Sequence, residues 1–176
     1  IVALSKRDIA VRVFEYINGS WVQLGSDIEA PPNSMENDDD WGDMMLNEVG
    51  DVVIIGSHNY DGNGSKSGRV QIFKYDNGDW SQLGSDLLGV AANNHFGYLD
   101  RSLAINSSGT RVAVGAYGNN SNKGEIKAFE YNGTDWVQLG SDIHGTSSSG
   151  NAMCSVVSLD GSGNRMVVGS YGEYIN

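Results

Sequence analysis

Short apolar runs, each broken by Gly, Asn, Ser or Asp, follow one another along the chain, and within them apolar positions fall on alternating sides. In "GRVQIFKY" (68–75), Val70 and Ile72 lie on one side of an extended chain and Phe73 and Tyr75 on the other, because successive side chains of a strand point to opposite faces. β-Branched and aromatic residues dominate the runs, and none keeps the period of a helix. The pattern predicts an all-β chain of short strands joined by turns.

The runs recur. "FEYINGSWVQLGSDI" (14–28), "FKYDNGDWSQLGSDL" (73–87) and "FEYNGTDWVQLGSDI" (129–143) are three versions of one phrase. Phe14, Phe73 and Phe129 are 59 and 56 residues apart, as are Trp21, Trp80 and Trp136; Gly56, Gly115 and Gly169, each closing an apolar run, are 59 and 54 apart. Four strands fit one period. In the middle copy they are "DRSLAINS", "TRVAVGA", "GEIKAFEY" and "DWVQLG". Asn-Gly supplies the positive φ of a tight hairpin turn between the last two. It shifts by one residue in the third copy, yet Tyr131 and Trp136 keep the five-residue separation of the other copies. The repeated Trp reads as a packing residue rather than a ligand platform.

The third strand is apolar on both faces over part of its length, so its sheet needs cover on both sides. With no helix available, that cover is other sheets. Four-stranded antiparallel sheets stacked face to face around an axis are the blades of a β-propeller, and one blade cannot bury both of its faces alone. The chain then divides into the end of a blade (1–35, strands two to four, opening on "IVALS"), full blades at 36–88 and 89–143, and the start of a blade (144–176, strands one and two). That is about three blades' worth, where a ring of six to eight at this period needs roughly 330 to 460 residues. The expectation is a partial propeller: a portion of a longer repeat protein, or a subunit whose open blades a partner completes.

"NNHFGYLDRSLAINSSGTRVAVGAYGNNSNKGEIKAFEYNGTDWVQLGSDI" resembles the FG-GAP-type, integrin-α-like propeller repeat of secreted and cell-surface proteins. The likeness rests on Phe96-Gly97 opening the blade, "VAVGA" (112–116), the glycine-bounded loop to Gly124, and the "KAFEY…W" hairpin. In the other copies Trp41-Gly42 and Ala152-Met153 stand where Phe-Gly would be. The resemblance implies a seven-bladed propeller for adhesion or protein recognition, with calcium held in the turn between strands one and two. Here those turns carry Glu48 and Asp51, no carboxylate, and Asp160 alone, which falls short of an alternating carboxylate loop.

Charge narrows the partners. The net charge is −11, and the 11 Lys and Arg residues are scattered, so the basic footprint of a nucleic-acid binder is missing. An anionic membrane surface repels such a chain, and no apolar run has the ~18 residues of a membrane helix. One cysteine, Cys154, permits no internal disulfide. The expected partner is a protein or a glycan in an extracellular or cell-surface setting, and the adhesive loops are those holding Asn59 and Tyr60 and Tyr117, Asn119 and Asn120.

Candidate chemistry is sparse. Asp61, Asn63 and Ser65 alternate in "DGNGSKSG" as an oxygen-rich calcium loop would, but the twelfth position, where a helix-loop-helix site needs an acid, is Ile72. Asp38 and Asp40 lie in "ENDDDWGD", a second candidate for calcium; both stretches also read as solvated loops. Asp27, Asp86 and Asp142 recur as "GSD" and read as turn caps. No catalytic residues are assigned: the three histidines form no close-spaced metal pair, and no nucleophile signature is present. A glycan-processing propeller enzyme is the distant alternative, since "DNGDW" resembles a sialidase turn one residue short, but only six arginines are available for anion recognition. Five N-x-S/T sequons, at Asn18, Asn63, Asn106, Asn119 and Asn132, fall in expected turns and loops.

Overall fold

The computed structural model describes residues 10–29, 42–98, 101–118, 124–145 and 153–170. All regular structure among them is antiparallel β-strand, with no helix and hence none long and apolar enough to cross a membrane. The first unit is a hairpin in two pieces: β1 (Ala10–Val11) pairs with β4 (Ile28–Glu29), and β2 (Phe14–Ile17) with β3 (Ser20–Gln23). The second runs β5 (Met44–Leu46), β6 (Val52–Ser57), β7 (Arg69–Asp76), β8 (Asp79–Gln82), with β9 (Leu87–Leu88) returning to β7. The third repeats this as β10 (Leu103–Ile105), β11 (Arg111–Ala116), β12 (Glu125–Tyr131), β13 (Trp136–Gln138) and β14 (Ile143–His144). The fourth is β15 (Met153–Leu159) paired with β16 (Met166–Ser170).

Register follows the repeat. Tyr16 faces Trp21, Tyr75 faces Trp80 and Tyr131 faces Trp136 across their hairpins. Asn18-Gly19 and Asn77-Gly78 both adopt positive φ, as a two-residue turn matching strand twist requires. In the third copy the Asn132 side chain instead accepts from the Thr134 and Asp135 N–H groups, which absorbs the shifted turn. The fourth strand departs from expectation. It leaves the sheet after Gln82, turns through Gly84 at φ 74°, and rejoins β7 as β9.

Alternation decides the packing. Val52, Ile54, Val70 and Ile72 of the second unit meet Leu103, Val112 and Val114 of the third. On the opposite face Val53, Ile55 and Phe73 meet Val11 and Ile28 of the first. Ala104, Ala113 and Ile126 meet Val157 of the fourth. The sheets thus stack face to face in chain order, each burial of a Val or Ile contributing about 1.5–3 kcal/mol. Phe96 is fully buried between Gly68 and Ala116, and the Gly97 N–H donates to the Gly115 carbonyl (2.9 Å), as Gly42 does to Gly56 (2.8 Å). Among the described residues the stack does not close on itself. The second strand expected at 1–5 lies outside them.

Candidate recognition surface and the clasps between units

The repeated Trp links neighbouring units. The Trp80 indole N–H donates to the Leu24 carbonyl and Trp136 to Leu83, both at 2.7 Å. The preceding aspartate completes the grip: Asp79 accepts the Ser26 N–H and Asp135 the Ser85 N–H, both at 2.8 Å. Between those anchors the indole packs against a glycine, where a Cβ on Gly25 or Gly84 would sit 2.8 or 2.7 Å from the ring. "DW" of the second and third units is therefore a plug, and "LGS" of the unit before each a socket. These backbone donors hold the Asp79 and Asp135 carboxyls below the ordinary carboxylate range.

The "GSD" aspartates do not cap their turns as expected. Each receives the side-chain amide of Gln23, Gln82 or Gln138 and faces the third strand of its own unit. There Asp27 takes Arg12, Asp86 takes Gln71, and Asp142 takes Lys127 at 2.6 Å. Turn capping belongs instead to Asn47, Asn106 and Asp160, whose side-chain oxygens accept backbone N–H groups between strands one and two. The turns that the family resemblance would give to calcium are thus closed by their own backbone donors.

At the opposite end, the loops of the second and third units converge. His58 lies 5.0 Å from Tyr98 between ring centroids, His95 lies 6.1 Å from Tyr117, and Tyr98 and Tyr117 stack at 5.4 Å. Tyr117 is exposed while His58 is buried beneath. Burial, with Lys66 nearby, holds His95 below the usual histidine value. The two expected adhesive loops thus meet through His58 and His95, weighed in the sequence only as metal ligands, and Tyr98, which the sequence did not single out. Tyr60 turns away to cover the Arg69 guanidinium at 4.1 Å, and Asn59 is half-buried beside it. Asn119 and Asn120 lie outside the described residues.

The residues of the proposed cation loop also fasten the loop itself. Asp61 accepts the Lys66 N–H, Asn63 donates to the Gly89 carbonyl, and the Ser65 carbonyl takes the Asn93 N–H. Asp38 and Asp40 lie outside the described residues. Elsewhere Glu125, Asp142 and His144 come together on β12 and β14, but the Lys127 ammonium sits between Glu125 (2.9 Å) and Asp142 (2.6 Å) as the cation of that cluster. Burial opposes its charge, and the two carboxylate partners outweigh burial and raise its pKa. Of the sequons, Asn18, Asn63 and Asn132 are exposed. Asn106 is the correction: it is buried, and its amide reaches Ser108 and the neighbouring turn, so a glycan there has no room.

A comparison with protein-family models matches none, and no curated protein matches the chain in sequence.

Proposed function

We propose that this chain is a non-enzymatic β-propeller-type recognition module of FG-GAP-like character, working outside the cytoplasm and presenting its ligand surface on the loop end of its stacked sheets. The carrying observation is the Tyr98–Tyr117 stack over His58 and His95, where loops of two consecutive units converge on a rigid β framework. Binding residues concentrate on loops held by such frameworks, and an aromatic face backed by a few polar groups suits a small carbohydrate epitope. The repeated Trp80 and Trp136 serve packing between units, which supports a scaffold rather than a catalyst, and no cofactor is assigned. Glycan-array screening followed by titration tests this. A hit that Tyr117→Ala weakens tenfold or more at unchanged thermal midpoint supports the reading; binding indifferent to Tyr117 sinks it. A second reading, a structural subunit completed by a partner, is favoured by the bare faces of the first and fourth units.

A further inference from the structure

One side chain of the second unit breaks the repeat. In the first and third units the "GSD" aspartate is held by a cation at one strand position, Arg12 and Lys127. In the second unit that position is Gln71. The cation, Arg69, stands two residues earlier, where the other units have Ala10 and Glu125. The shared frame therefore does not call for an arginine there.

Arg69 is 3% exposed, and among the described residues neither its Nε–H nor its Nη2 group has an acceptor. Its carboxylate neighbour Asp86 stands 3.6 Å from Nη1 and already accepts the Gln82 and Gln71 amides, at 2.7 and 3.2 Å. Ser57 faces Arg69 across β6 and β7, and Gln71 follows on the same side of the sheet. The Ser57 Oγ and Gln71 Oε1 atoms are likewise buried without a partner among the described residues. Unpaired buried donors are costly, a charged one most of all. The same molecule shows what such an edge takes. Arg12 grips both oxygens of Asp27 through its own Nε and Nη2 groups, at 2.6 to 2.9 Å, because a guanidinium edge presents two parallel donors that match a carboxylate.

We infer that Arg69 is the centre of an acidic-sugar subsite, its Nε–Nη2 edge taking the carboxylate of a uronic or sialic acid. The inference rests on reading the loop end as the recognition surface. The Ser57 hydroxyl donates a further hydrogen bond to the carboxylate, and the Gln71 Oε1 atom accepts one from a sugar hydroxyl. His58, next to Ser57 in the chain, packs on Tyr98 at 5.0 Å, so the subsite adjoins the aromatic cluster. Tyr60 is its lid. The half-buried ring covers the guanidinium at 4.1 Å, and a Cβ on Gly62 would strike that ring. The ligand reaches the edge when Tyr60 swings outward.

The test is titration of the 176-residue chain with D-glucuronate, N-acetylneuraminate, D-glucose and acetate, read by calorimetry and by the Arg69 Nε–H resonance. At least one of the two acidic sugars is expected to bind and move that resonance, with glucose and acetate at least about tenfold weaker. Arg69→Lys keeps the charge without the fork and should weaken the acidic sugar by about ten- to hundredfold. Arg69→Met should weaken it as much at an unchanged or higher thermal midpoint, because it removes unpaired buried donors. A structural role alone predicts the reverse, a lower midpoint and no response to either acid, and overturns the inference. So does acidic-sugar binding indifferent to both variants, and acetate as tight as the acidic sugar overturns the sugar assignment. A neutral glycan that Tyr117→Ala weakens, with both acids unbound, overturns this inference alone; no glycan of either kind bound overturns the recognition reading with it.

Discussion

At the scale of single residues, the clasp sets the sharpest expectations. Trp136→Phe leaves the Leu83 carbonyl without its donor and should cost about 1–3 kcal/mol, read as a lower urea midpoint at unchanged slope. Trp136→Ala adds the lost packing and should reach about 3–5 kcal/mol. The two glycines discriminate further. Gly140→Ala, where a Cβ meets nothing within 4 Å, meets only the left-handed backbone penalty of about 1–2 kcal/mol. Gly84→Ala adds about 1–3 kcal/mol of overpacking against Trp136; equal effects would show that the indole does not rest there. Asn106→Ala removes the acceptor for the Thr110 and Arg111 N–H groups and should cost about 1–3 kcal/mol. Glycopeptide mapping of secreted material should find Asn106 bare.

At the scale of elements, the clasp makes the joint between sheets acid-sensitive. Asp79 and Asp135 have folded pKa values depressed by backbone donors, so their contribution is complete above the unfolded value of about 3.9 and drains away as pH falls through the folded values. Asp135→Asn should flatten the acid limb of the stability profile below about pH 4, and an unchanged limb would contradict the joint. Much of this level was legible in the chain. Strand positions, register and the two-faced third strand follow from alternation, from Asn-Gly, and from the constant Tyr–Trp separation. What stayed hidden is partnership across units. Trp80 and Leu24 are 56 residues apart and lie in different copies, each recurring with the repeat, so nothing in a single copy shows that they touch. The "GSD" aspartate was misread for a related reason: its partner on the third strand changes from Arg12 to Gln71 to Lys127, so no fixed pair stands out. His58, His95 and Tyr98 escaped because they come together only when loops from two units fold over one another.

At the scale of the whole molecule, the features divide between its two ends and its two open faces. The loop end holds the aromatic cluster proposed to bind ligand, while the turn end is sealed by Asn47, Asn106 and Asp160. The open face of the first unit leaves Trp21 exposed, and Ser20 stands there in place of the clasp aspartate.

The clasp also fixes how the molecule comes apart. Because each sheet grips only the one before it, opening is a nearest-neighbour affair, as in other linear arrays. An isolated stack should therefore fray inward from both ends, with amide exchange fastest in the first and fourth units and slowest along β7 and β11.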